Sequence, residues 1–424
     1  MSPPFVDHIR RHASVGAGWA AVALGFTIPV STTADSVVLV ILLVAWILCG
    51  NARDRLRAAL RHPAALAWLA FFLLLAVGAL HGDSSLKERL NILRKYDDFL
   101  IPIVLLPAFA ALQVRERAVW AFGLAMGLAL FLSLLLAAGI IPHLGESWIQ
   151  TDHQSWIHGN QHDASVFKGR ITHSLFMSFA ALLLALEAGR QPEMWKRVIL
   201  WSMTVLAMID VFLLVQSQTG QVAFLALIVF WCWRRLGMKG VAVGLCAGVL
   251  VMVISLQTST AFRDRIAMVL EQAQWSQSEK VASTSQPVAV ALRLEWYKNT
   301  LDIVAANPLL GVGTGGFARA YAAAVTDPTA IKPAHPHNQY LLTAVELGVP
   351  GLMGLLALFA WLWWLTYQIP ESFYKELGQG ALILMSLGCL FNSLLLDHAE
   401  GLFFVWVMCI ALAGISAMPS VEKC

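Results

Sequence analysis

Apolar residues in this chain come in runs near the length that carries an α-helix across a bilayer, roughly 20 residues. Short polar breaks separate them. The pattern predicts about twelve spans, near residues 17–32, 35–50, 63–80, 98–113, 118–140, 171–189, 198–216, 221–233, 240–256, 339–366, 377–396 and 402–418. The fold class that follows is all-α, a polytopic membrane protein. It divides into residues 1–256, with nine spans and the polar segments 81–97 and 141–170; residues 257–338, a large and partly helical loop; and residues 339–424, with the last three spans. Within the large loop, 288–306 has helical apolar spacing that Asn307–Pro308 stops, Gln272–Pro287 is Ser/Gln-rich and reads as mobile, and GVGTGG (311–316) reads as a flexible turn.

Composition agrees with the pattern. Hydrophobic residues make up 58% of the 424 positions and charged residues 13%, about half the charge of a soluble domain. The positions of the charges say more than their net of +3. With the N-terminus inside, the inner side receives Arg10 and Arg11; Arg53, Arg55, Arg57 and Arg61; Arg115 and Arg117; Arg190, Lys196 and Arg197; and Arg234, Arg235 and Lys239. The short loops opposite, around Thr33, Gln218 and Asp397, carry no Lys or Arg. This is the positive-inside pattern at every alternate loop. It places 81–97, 141–170 and 257–338 outside. The N-terminus does not read as a cleavable signal peptide. The six cysteines lie in apolar runs, at their ends or at the C-terminus, so no disulfide framework of the outer loops is implied.

The outer loops hold cations that the orientation rule does not predict: Lys87, Arg89, Arg94, Lys95, Lys168, Arg170, Arg263, Arg265, Arg293, Lys298, Arg319 and Lys332. Any one of them reads as solvated loop surface; as a set they suit an anionic substrate at the outer membrane face, because an Arg fork meets phosphate oxygens in a bidentate way. Arg293 and Tyr297 are four apart and share a helix face. His337, in AHPHNQYLL, stands at the last outside position before a long apolar helix, and Pro336 disfavours helix at His335. An imidazole there can take a proton from a hydroxyl without a metal, or it can simply cap the helix.

The residues offer three other readings. A metal site would use His335 and His337, with His153, His158, His162 and His173 from another outer loop, but no Cys or carboxylate joins them at ligand spacing. Gly311, Gly313 and Gly316 match a dinucleotide fingerprint formally, yet they follow a helix rather than a strand. Their glycines let the backbone turn or approach a ligand closely. A transporter would place ionisable groups at mid-span, and here Asp210 is the exception, with Glu187 nearer the inside end. Asp397, His398 and Glu400, and the turn SQTGQ (217–221), put polar groups on the same membrane face as His337.

PLLGVGTGGF (308–317) followed by HPHNQYLLTAVELGVPGL (335–352) resembles the signature of the O-antigen ligase and polymerase superfamily. The order of about twelve spans, a large loop before the last three, and a histidine at that loop's end is also similar. So are Arg293 ahead of Trp296 and the polar cluster Asn392, Ser393 and Asp397, while LRKYDDFLIPIVLLP (93–107) resembles the ligase branch. The family often has Arg where this chain has Gln218. The resemblance implies a glycosyltransferase of a bacterial inner membrane with its site facing the periplasm. The donor would be a glycan on undecaprenyl pyrophosphate and the acceptor a hydroxyl of lipid A–core, or another lipid-linked repeat if the chain is a polymerase. It implies His337 as base. Arg265 and Arg293, with Arg170, Lys168, Lys87 or Arg89, would hold the pyrophosphate, and Gln218, Tyr297, Asn338 and Asp397 would support the site. No cofactor, metal, nucleotide or nucleic acid would be needed, and the displacement would invert the anomeric centre.

Overall fold

The computed structural model describes residues 3–50, 52–141, 163–215, 217–258, 263 and 289–415. Arg265, the His-rich part of the 141–170 segment and the Ser/Gln-rich stretch 272–287 lie outside the described residues.

Sixteen α-helices make up the described chain. They are α1 (Pro3–Val30), α2 (Thr32–Leu48), α3 (Ala52–Ala59), α4 (Pro63–Gly78), α5 (Leu86–Arg94), α6 (Pro102–Ala108), α7 (Leu112–Ala137) and α8 (Arg170–Arg190), then α9 (Met194–Ile209), α10 (Gln218–Leu236), α11 (Met238–Thr258), α12 (Ala289–Ala306), α13 (Phe317–Ala324), α14 (Gln339–Thr366), α15 (Ser372–Phe391) and α16 (His398–Leu412). The protein is a polytopic all-α membrane protein. Among the described residues, six helical stretches are long and apolar enough to cross a membrane: Asp7–Val30, Leu112–Ala137, Arg170–Arg190, Met194–Leu214, Met238–Thr258 and Gln339–Thr366.

The remaining expected spans fall on shorter helices; the expected span 377–396 lies instead on α15, Ser372–Phe391, and two more differ from the sequence reading. The run 98–113 is no single helix: a 3-10 turn, Asp97–Leu100, leads into the seven-residue α6, because Pro102 and Pro107 interrupt it. The last run begins earlier than expected, at His398, and 14 of the 15 residues of α16, from Ala399 to Leu412, are buried. A helix apolar all round belongs inside a bundle. Trp406 and Phe403 of α16 pack with Phe122, Phe176 and Phe179 at centroid separations of 4.5 to 6.1 Å, and α1 wraps the same helix through a Trp406 Nε1–H bond of 3.0 Å to the Ala21 carbonyl.

Asp210, the charge expected at mid-span, is satisfied. It opens a π-helical turn, Asp210–Leu214, at the end of α9. His173 Nε2 meets its carboxylate at 3.0 Å and Ser133 donates to it, with all three side chains buried. The other His173 nitrogen, Nδ1, contacts the Val166 backbone, so the pair anchors the segment that carries Lys168.

Candidate active site

His337 occupies the turn between the large loop and α14. Its backbone is left-handed, with φ 53, a conformation uncommon outside glycine. Several contacts hold it there. Asn338 caps α14 by accepting the Leu341 N–H at 3.0 Å. The same Asn338 donates through Nδ2 to the Leu390 carbonyl at 3.1 Å. The Tyr297 hydroxyl lies 3.1 Å from the His337 carbonyl oxygen and 3.2 Å from that of Leu390, and donates its proton between them. The His337 N–H donates to His335 Nδ1 at 3.3 Å. Thus α12, the C-terminal end of α15 and the α14 cap converge on one residue.

The imidazole itself is fixed on two sides. Trp296 stacks on it at 5.3 Å between centroids and 22° between planes. Its Nδ1 lies 3.1 Å from Asn392 Oδ1. A carbonyl oxygen only accepts, so Nδ1 carries the proton and Nε2 presents a lone pair. Burial holds the His337 pKa below the ordinary histidine value, Arg293 lowers it further, and the Asn392 bond opposes both. The ring is therefore neutral near pH 7. His335 is pushed down to about 4 by burial, then by His337 and Lys95. Asp397 is raised by burial, with Lys95 opposing, so the Lys95 ammonium faces both His335 and Asp397.

Among the sequence-predicted residues, Tyr297 and Asn338 touch His337 or its carbonyl partner, and Arg293 sits close enough to act on its charge. Lys168 is buried, its pKa lowered by that burial and raised by Asp35 and Glu400, so it faces carboxylates. Arg89 donates to the Ala79 carbonyl at 3.0 Å. Lys87 on α5, Arg170 at the start of α8 and Gln218 at the start of α10 are exposed. Arg265 lies outside the described residues. Asp397 joins a neighbouring polar cluster in which His398 bridges Asp35 at 3.1 Å and Asp98 at 3.3 Å, and Thr172 donates to Glu400. Asn392 and Trp296, singled out in sequence only through the family resemblance, are direct partners of His337; both are far from it along the chain, and nothing local predicts the contact. No group of three His, Cys, Asp or Glu side chains placed for a metal occurs among the described residues.

The glycine-rich turn is not flexible. Gly348 breaks α14 with φ 69, and Pro350 has no N–H to give, so carbonyls in the preceding turn lack helical partners. The turn supplies them. Val312 N–H donates to Val345 O at 2.8 Å, Gly313 N–H to Glu346 O at 2.9 Å, and Gly315 N–H to the Glu346 carboxylate at 2.9 Å. In return the Val349 N–H donates to Pro308 O at 2.8 Å. Thr314 ties the turn to α4 through Gly78 O at 3.0 Å and Leu75 O at 2.7 Å. The glycines approach the protein's own backbone closely: a Cβ on Gly313 would fall on the His81 carbonyl oxygen. The segment 308–317 and the 345–351 part of the signature's second half, 335–352, are thus the two sides of one clasp around the break in α14.

Residues 203–356 match a family model described as O-antigen ligase. The matched segment contains α12, the clasp and His337. No curated protein matches the chain.

Proposed function

The chain carries the O-antigen ligase family segment over residues 203–356, and from that premise we propose that it is a lipid-linked glycan ligase of a bacterial inner membrane. It transfers a polysaccharide from undecaprenyl pyrophosphate to a hydroxyl of lipid A–core on the periplasmic side. The observation that supports this most directly is the neutral His337 imidazole, fixed through Nδ1 by Asn392 and stacked on Trp296, with Arg293 close by.

The chemistry follows from those groups. The acceptor oxygen attacks the anomeric carbon as its proton passes to His337 Nε2, and the bond from that carbon to the pyrophosphate oxygen breaks. One base and a good leaving group suffice, without the paired carboxylates of a hydrolase. Attack opposite the leaving group inverts the anomeric centre. Negative charge grows on the departing pyrophosphate, and preorganised cations stabilise it most in the transition state. Arg293 is the residue best placed for this role, with Arg265 as its partner from the same loop. Arg170 and Lys87 are exposed cations at the ends of outer helices and serve donor approach. Lys168 and Arg89, engaged with carboxylates and a backbone carbonyl, hold the walls of the site.

Purified protein, lipid-linked glycan and lipid A–core, incubated with EDTA and no nucleotide, test the reading. Wild-type protein should form the ligated product; His337→Ala should lose at least roughly 100-fold in rate, as expected for removal of a general base. Arg293→Ala should raise the donor concentration needed and slow transfer. Product formed at the wild-type rate by His337→Ala would sink the base assignment, and transfer only onto a second lipid-linked glycan would make the protein a polymerase.

A further inference from the structure

The end of the bundle away from His337 holds a second feature. There α1, α6 and α7 meet the α2–α3 corner around a narrow cleft of about 250 Å³ with apolar walls that include Val15, Val22, Ala108 and Val114. Gly18 lies on its floor without a side chain, and the nearest atom to a Cβ there would be Val114 Cγ2 at 3.5 Å. Two guanidiniums, Arg55 and Arg117, also line it. Each lies on a tryptophan, Arg55 over Trp46 and Arg117 over Trp19, at 5.1 Å from the ring centroid. Arg55 is fixed further by donating to the Trp46 carbonyl at 2.8 Å.

Arg10 and Arg57, their neighbours, pair with Asp7 and Asp54, whereas Arg55 and Arg117 have no carboxylate partner among the described residues. Two residues before Arg117 on α7, Arg115 is 4% exposed and leaves Nε and Nη1 without a hydrogen-bond partner, its charge resting on the Tyr374 ring at 4.6 Å. Three arginines at this end, Arg55, Arg117 and Arg115, thus have no carboxylate pair among the described residues. Stacking on indole holds a guanidinium in place while leaving its N–H donors free, and Trp19 is 56% exposed, as befits a side chain at the depth of lipid headgroups.

We propose that this cleft is a specific site for an anionic phospholipid of the inner leaflet. The phosphate sits between Arg55 and Arg117, and one acyl chain lies along the apolar walls between α1 and α7. Basic pockets between helices on the cytoplasmic side bind headgroups of this kind. Charge complementarity and the adjoining apolar cleft favour a lipid over a free anion, because an inorganic phosphate would leave those walls unused. A lipid seated there ties the α2–α3 corner to α6 and α7. The inference rests on the membrane fold and not on the transfer reading, so either can fail without the other.

The test measures lipid retained by the full-length protein. The protein is purified in detergent, exposed to mixed phosphatidylglycerol and phosphatidylcholine, and read by native mass spectrometry and by thermal unfolding. Wild-type protein should retain phosphatidylglycerol preferentially, and its unfolding midpoint should rise with that lipid. The double variant Arg55→Gln/Arg117→Gln should bind it roughly 30-fold more weakly, the loss expected for two interfacial cations. Gly18→Leu, which keeps both charges and fills the cleft, should lose retention as well. Arg53→Gln/Arg61→Gln, which removes two exposed cations outside the cleft, should leave it unchanged. Equal loss in that control would show diffuse surface attraction and overturn the site. So would retention unaffected by Gly18→Leu, stabilisation by inorganic phosphate as large as by the lipid, or equal retention of the two lipids by wild-type protein.

Discussion

His337 shows how one residue can be over-determined. Its left-handed backbone costs on the order of 1 kcal/mol or more, and the Asn338 cap, Tyr297 and Leu390 hold it in that state. Its ring has a defined tautomer because Asn392 accepts from Nδ1. This fixes a pH dependence. With the His337 pKa lowered by burial, transfer should be level above about pH 6.5, the ordinary histidine value, and fall only in more acid solution as Nε2 becomes protonated. Asn392→Asp places an anion beside Nδ1, favours the imidazolium and should move that acid limb upward by roughly 1–3 units. Asn392→Ala should slow transfer by on the order of 100-fold through lost orientation, with no upward move. A pH–rate profile distinguishes them; identical limbs in both variants would reduce Asn392 to a packing residue. His337 and Arg293 are candidates on the motif and on helix spacing. Asn392 stood out only as part of a polar cluster; its bond to His337 was not legible, because nothing local links positions on two different helices.

At the scale of elements, the most informative piece is the clasp. GVGTGG reads from sequence as a flexible turn, and its pattern of glycines even matches a dinucleotide fingerprint. In the fold those glycines supply N–H donors to carbonyls freed by the Gly348–Pro350 break. Their lack of Cβ allows contact with the α4 end and with α14. The turn is therefore rigid, and it sets where the first half of α14, which begins just after His337, can lie. Gly313 has φ 86, so Gly313→Ala should cost about 1–2 kcal/mol for the backbone alone, and more for the displaced His81 carbonyl. Thermal unfolding in detergent should show a lowered midpoint, and transfer should fall with His337 still present. A variant with wild-type midpoint and rate would mean that the clasp does not govern the site. The break itself was readable in LGVPG; its partner was not, because the donors come from a turn some 30 residues earlier.

At the scale of the whole molecule, the bundle is organised around α16, a short helix buried on every side, with α2, α9 and α11 turning apolar faces outward. His337, Asn392 and the Asp35–His398–Asp98 cluster gather at one end, and the arginines of α3 and the start of α7 at the other. The positive-inside pattern then assigns the ends to the two sides of the membrane. Cysteine labelling checks that assignment. In a background without the exposed Cys246 and the C-terminal Cys424, Lys332→Cys should react with a membrane-impermeant maleimide in cells with a permeable outer membrane. Arg53→Cys should react only after the inner membrane is opened. The reverse order would invert the protein and remove the periplasmic site.

Span-length apolar runs, the side bearing Lys and Arg, and a signature that contains His337 are all local or compositional. A bilayer imposes the first two on any chain that crosses it and the third is read in place, so fold class, expected orientation and candidate base were all readable from the sequence alone. Partnerships are a different matter. Asn392 at His337, the glycine turn in the break of α14, His173 on Asp210, and the unpaired Arg55 and Arg117 beside one cleft each join residues that are distant along the chain or carried on different helices. Only the packing of the bundle brings them within hydrogen-bond or charge range, and that packing decided which polar residues hold the structure and which remain free for a substrate or a lipid.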